Sequence, residues 1–267
     1  MRILLFKMVL MSFCLILILM SVGKSDAKIN PDSISALWLL DEGQGDIVRD
    51  SSQSRNNGKF SNSKGINWLN GKFSKALEFK GTDYVIIPNS KSLSMNDTIS
   101  IALWTKLNAL KNYPSLVYKG KCGVAGYWGI HQSPSGIVYA RLDTSGGLNL
   151  NGGNIEGISD GSWHHIVFVF NKGEVKLFKD GEELPGKTYS HGNGFGSAEE
   201  LGIGSGFYPQ DPRDLDGAID EVGIFNIALT KDDVKEIVTN GFKELFNIIA
   251  VRSSGKLATS WANLKIQ

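Results

Sequence analysis

Cysteine, histidine and proline are scarce: two, four and seven in 267 residues. Cys14 lies inside an apolar run at the start, so once that run is removed Cys122 has no intrachain partner, and stability must come from packing rather than a disulfide framework. An excess of one charge is missing too. Residues 28–267 carry 25 basic and 26 acidic side chains with no basic block, which excludes an electrostatic footprint for nucleic acid or an anionic membrane. Long apolar runs are absent after the opening. The run Met8–Met20 is shorter than the roughly 20 residues of a membrane span, follows the basic Arg2 and Lys7, and leads to small residues ending at Ala27. That pattern predicts a signal peptide over residues 1–27, a secreted or cell-surface protein, and no membrane span in the mature chain.

What is present is strand. Runs rich in β-branched and aromatic residues recur at 34–40, 76–79, 83–88, 98–107, 127–132, 136–143, 163–170, 174–180 and 217–226, separated by turn formers such as "SRNNG", "NKG", "KDG" and "GSG". Short strands at near-regular spacing predict an antiparallel two-sheet sandwich within a single large domain. One helix is predicted in "LTKDDVKEIVTNG", capped by Thr230 with Asp233 reaching back, apolar at Val234, Ile237 and Val238, and ended by Gly241.

The stretch "DGSWHHIVFVFNKGEVKLFKDGEEL", residues 160–184, sets two of the four histidines side by side. Side chains alternate along a strand, so Trp163, His165, Val167 and Val169 share one face while His164, Ile166, Phe168 and Phe170 share the other. The two imidazoles therefore cannot chelate one ion together. Each is expected to be a packed strand residue with one ring nitrogen hydrogen-bonded, and Trp163 is expected to join His165 on a core-facing side. Asp180-Gly181 predicts a type I′ turn.

That stretch resembles the core signature of the LamG-like jelly-roll domains of the concanavalin A-like lectin/glucanase superfamily. Four further stretches resemble the family in the expected order: "ALWLLDEGQGDIVRDSSQSRNNGKF" (36–60), "WLNGKFSKALEFKGTDYVIIP" (68–88), "TISIALWTKL" (98–107) and "GAIDEVGIFNIALTKDDVKEI" (217–237). In the second of these, Phe73 stands where the family often has glycine. The resemblance implies an all-β jelly roll of two antiparallel sheets with one short C-terminal helix. It sets a domain over 28–241 and an extension over 242–267, readable as a hairpin or a tail.

The resemblance also implies a structural calcium held by Asp41, Gly81 through its carbonyl, Asp83 and Asp220. The same aspartates could instead serve as turn and strand-end hydrogen-bond acceptors. Enzymes of the superfamily carry alternating carboxylates on one strand, and this chain has no such pattern. No nucleophile elbow, His-Glu-x-x-His motif or phosphate-cradling loop occurs either. Aromatics outside the obvious core strands are Trp68, Tyr113, Tyr127, Trp128, Phe207 and Tyr208. Tyr208, Asp211 and Arg213 in "GSGFYPQDPRDLDG" form the candidate ligand site, since sugar rings stack on aromatics while charged side chains hydrogen-bond hydroxyls. The expectation is a non-catalytic secreted module that recognises glycans or extracellular proteins. The alternatives are a glycoside hydrolase or polysaccharide lyase of the same fold, or a structural component of a surface assembly.

Overall fold

The computed structural model describes residues 29–245, apart from 63, 82, 96, 109–112, 145–146, 189–195, 205–212 and 214. The expected signal peptide, the segment 246–267, Phe207, Tyr208 and Asp211 lie outside the described residues. Strands follow one another as β1 (Ile34–Trp38), β2 (Ile47–Val48), β3 (Gly58–Phe60), β4 (Ile66–Asn70), β5 (Lys75–Gly81), β6 (Val85–Ile87), β7 (Thr98–Leu107), β8 (Ser115–Lys119), β9 (Trp128–Gln132), β10 (Val138–Thr144), β11 (Gly147–Ile155), β12 (Trp163–Asn171), β13 (Glu174–Lys179), β14 (Glu182–Thr188), β15 (Leu201–Ile203) and β16 (Leu215–Phe225). A helix, α1, spans residues 231–245.

The strands form two antiparallel sheets. The first runs β14-β13-β12-β7-β16-β5-β4, with β1 also paired to β16, and the second runs β11-β10-β9-β8-β15-β6-β3-β2. Alternation in β12 explains the layering: Ile166, Phe168 and Phe170 enter the core between the sheets, whereas Val167 and Val169 enter a second cluster with Phe178 of β13 and Val234, Ile237 and Phe242 of α1. The first sheet is thus buried on both faces where the helix lies on it. Burying a side chain such as Phe168 contributes roughly 1.5–3 kcal/mol, which makes this alternation the main determinant of register.

Two-residue turns join β12, β13 and β14. Asp180 and Gly181 have φ of 52° and 87°, the left-handed pair a type I′ turn requires, and Lys172-Gly173 does the same with 50° and 95°.

Gly241 does adopt the left-handed φ of a helix end, 70°, but the helical run continues to 245. The amide N–H groups of Phe242 and Lys243, released at that break, donate to the Glu221 carboxylate at 2.8 and 3.4 Å. Phe242 and Leu245 are buried against Phe225 and its neighbours, so the domain's core extends past the boundary expected at 241.

Candidate functional site

The outer face of the second sheet carries a polar and aromatic group left out of the core. In β9, Trp128 and Ile130 point into the core, which turns Gly129 and His131 outward; in β10, Val138, Ala140 and Leu142 point in, which turns Tyr139, Arg141 and Asp143 outward. His131 is buried, with Nδ1 sharing a hydrogen bond with Ser115 Oγ at 3.0 Å and Nε2 one with Tyr127 Oη at 2.8 Å. Its ring stacks on Tyr127 at 6.1 Å and 20°, and meets Tyr139 at 5.5 Å. Tyr139 meets Tyr113 edge-on at 6.5 Å and 83°, and the Arg213 guanidinium lies 5.7 Å from the Tyr113 ring centre while Nη1 reaches the Tyr113 carbonyl at 3.4 Å.

Gly129 is what lets Tyr127 and His131 come together. A Cβ there would stand 2.5 Å from Tyr127 Oη and 2.6 Å from His131 Nε2. Burial, reinforced by the nearby Arg213 and Arg141 guanidinium groups, pushes the His131 pKa down to about 3, so the ring is neutral at physiological pH and serves as a fixed spacer. Arg141 is held by Asp143 through two contacts of 3.3 Å, and Asp143 also accepts the Gly123 amide N–H at 2.7 Å. Tyr113 is 39 % exposed, and Tyr139, Arg141 and Arg213 are partly exposed. The arrangement presents a rigid aromatic floor with guanidinium donors beside it, which can stack on an apolar ring face and hydrogen-bond its hydroxyl or acidic substituents.

A second group sits beside it on the same sheet, on β8 and β15. Tyr118 of β8 lies over Gly202 of β15 and 6.3 Å from Tyr84, with Glu200 close to both. Burial first, then Glu200, raises the Tyr84 pKa, and burial raises that of Tyr118 still further.

Of the sequence-predicted ligand residues, Arg213 joins the first group. Trp128 does not belong to it, because it is fully buried in the core, and Trp68 packs partly buried against the same core. His131, Tyr139, Ser115, Arg141 and Asp143 were missed by the sequence reading. Period-two alternation in "YWGIHQ" and "GIVYARLD" carries the signal, since the outward set becomes visible once Trp128 and Ile130 are assigned to the core.

The adjacent histidines part company as expected. His164 lies between two carboxylates, Nδ1 2.8 Å from Asp180 and Nε2 3.2 Å from Asp160, so both ring nitrogens are used rather than one. His165 is fully buried and neither ring nitrogen has a hydrogen-bond partner among the described residues, against the expectation of one bond; its ring packs on Trp104 at 5.1 Å. Trp163 is only half-buried, because it stands at the first position of β12.

The four residues expected to share a calcium do not converge. Gly81 faces Leu215 and Leu77 faces Ile219, so Asp220 lies about five residues along β16 from the Gly81 end, roughly 17 Å at ~3.4 Å per residue. Asp83 is at that far end, accepting the Gly65 amide at 2.8 Å. Asp41 and Asp220 are together at the near end, where the β4–β5 turn touches both: Lys75 N–H donates to Asp41 at 3.0 Å and Phe73 N–H to Asp220 at 2.9 Å. Asp41 also meets Lys243 Nζ at 3.0 Å. Asp220 is buried, its Oδ1 has no hydrogen-bond partner among the described residues, and burial aided by Glu221 and Asp41 pushes its pKa up to about 8. That orphaned oxygen beside a second carboxylate suits a cation; Gly81 and Asp83 do not belong to the same set. Among the described residues no three or more His, Cys, Asp or Glu side chains are grouped to hold a metal ion.

The Laminin_G_3 family model, of the concanavalin A-like lectin/glucanases superfamily, matches residues 79–235, more than half of the chain. The chain belongs to this family. A comparison with curated protein sequences finds no match. Among solved structures, the LamG-like chain is similar to domain 4 of AbnA, a GH43 extracellular arabinanase from Geobacillus stearothermophilus solved with arabinotriose: 23 % identity over 77 % of this chain and 98 % of that one, TM-score 0.62. It is also similar to the binding domain of Paraclostridial Mosquitocidal Protein 1 (15 % identity, 78 % and 52 % covered, TM-score 0.60) and to Trypanosoma rangeli sialidase (13 %, 78 % and 33 %, TM-score 0.55). The chain thus spans about half of the toxin domain and a third of the sialidase. At these identities the likeness is one of fold. No helix among the described residues is long and apolar enough to cross a membrane.

Proposed function

We propose that this LamG-like domain is a non-catalytic, secreted glycan-binding module whose ligand lies on the outer face of the second sheet. The observation that carries the reading is the partly exposed Tyr113–Tyr139 pair, fixed from below by the neutral His131 and flanked by Arg141 and Arg213. One neighbour adds support through its ligand, the arabinotriose bound to domain 4 of the arabinanase. The enzyme alternative needs an acid and a second carboxylate across the scissile bond, whereas Asp143 of this face is tied to Arg141 and the Gly123 amide. Calcium in this reading would be held at the Asp41–Asp220 end of β5 and would stabilise the fold.

The test is isothermal titration of the mature protein with arabinotriose and with sialyl-oligosaccharides, with a hydrolysis screen on the same compounds. Binding without turnover is expected, weakened about tenfold or more by Tyr113→Ala, the loss expected when a central aromatic contact is truncated. Turnover, or binding indifferent to Tyr113, would overturn the proposal.

A further inference from the structure

On the outer face of the first sheet, away from the tyrosine face, a groove with a cavity volume of about 230 Å³ runs between β12–β14 and the segment leading into α1. Its floor is apolar: Val169, Phe178 and Leu229. Its wall is fixed, because buried Ser100 donates to the Ile227 carbonyl at 2.6 Å and accepts the Leu229 amide N–H at 3.0 Å.

The rim is charged, and the charges do not balance. Lys176 pairs with Glu174 at 3.6 Å and Lys231 with Glu182 at 3.3 Å. Glu183, directly across from Phe178 in the β13–β14 register, has no ion partner among the described residues. The start of α1 does not offset this with a demand for an anion. Asp233 already accepts the Thr230 amide and hydroxyl at 2.8 and 2.6 Å and donates its own amide N–H to Thr230 at 3.2 Å, with Asp232 beside it.

An apolar floor ending at an unneutralised carboxylate matches a side chain with an aliphatic stem and a cationic tip. The volume is below that of a drug-sized pocket and suits one side chain. Strand addition is disfavoured at the same edge, since β14 ends the sheet and carries Pro185 with Glu182, Glu183 and Lys187.

We propose that this groove seats a lysine or arginine side chain of a partner polypeptide, its stem on Phe178 and Leu229 and its cation at Glu183. The site is independent of glycan binding, and a variant here leaves the tyrosine face intact.

The experiment is methyl NMR on the full mature chain, titrated with Nα-acetyl-arginine methylamide and, separately, with the citrulline analogue, which has the same shape and no charge. Saturable shifts of the Val169, Ala228 and Leu229 methyls are expected with the arginine compound only. Glu183→Gln, an exposed position whose melting temperature checks folding, should weaken binding about twofold to fivefold, the range of an exposed charge pair. Lys176→Met should tighten it by freeing Glu174 of its ion partner and leaving the rim more acidic. Absence of a saturable shift, equal affinity for the citrulline compound, or indifference to Glu183→Gln overturns the proposal.

Discussion

Single residues decide how the tyrosine face is built. Tyr127 and His131 can share their hydrogen bond only because position 129 has no side chain between them. Gly129→Ala is expected to cost about 1–3 kcal/mol, as overpacking does, and to separate the two rings. Urea denaturation measures the first effect and a crystal structure of the variant the second; unchanged stability would mean that the floor is slack. The histidine pair makes the same point about resolution. Their opposite faces follow from adjacency in a strand, but that the His164 ring would meet two aspartates while His165 offers Asp180 only its backbone N–H depends on the 160–162 and 180–181 turns, which sequence spacing does not place.

At the scale of elements, the bulge in β16 ties helix, sheet and turn together. The register shifts between Asp220 and Gly223, Glu221 takes a φ of 44°, and its carboxylate meets the α1 amides at the Gly241 break. Phe242 closes the contact by packing on Phe225 at 5.9 Å. Phe242→Ala should therefore cost roughly 3–5 kcal/mol, as aromatic truncation in a core does. A chain ended at Gly241 should lose at least as much, and equal melting of the shortened and longer chains would show that the domain does end there.

Calcium is tested at the same element. If the proposal holds, a hundredfold excess over Kd stabilises by about 2.7 kcal/mol. Asp220→Asn should remove that gain and Asp83→Asn should keep it, because Asp83 is bonded to Gly65 at the other end of β5. Equal melting of chelated protein with and without calcium, or loss of the gain in both variants, would end the proposal. Boundaries were legible where alternation is strong: β7 spans Thr98–Leu107 as read, and β12 extends the expected run by one residue. They were not legible in β11, where "GLNLNGGNI" pairs with β10 through backbone hydrogen bonds that its composition does not announce.

For the whole molecule, two buried neutral imidazoles make stability depend on acid. Burial pushes both His131 and His165 down to about 3, against about 6.5 in an unfolded chain. Between those values the unfolded state binds protons that the folded state refuses, so this contribution is intact above pH 6.5 and declines as the pH falls towards 3. From pH 6.5 to 4.5 the loss is on the order of 2 kcal/mol per ring. His131→Gln and His165→Gln should each show a smaller drop in urea midpoint over that interval than the parent chain. Parallel curves would place charged or solvated rings in the folded state.

The sequence alone determined the class of fold, its family and the alternation of faces within each strand, because burial of apolar side chains acts at a spacing of two residues and leaves its mark locally; which face of β12 meets the other sheet, Ile166 and Phe168 rather than the side of Trp163 and His165, it did not determine. It also determined the turns at Asp180-Gly181 and Lys172-Gly173, whose left-handed backbone favours glycine at the second position. Only the tertiary structure decided which separated side chains meet. Arg213 reaches Tyr113 across 100 positions, Phe73 reaches Asp220 across 147, and Asp83 and Asp220, both strand-end aspartates in the sequence, fall at opposite ends of β5. Those distances follow from strand order and register between sheets, and both arise from the packing of the whole core rather than from any stretch of chain.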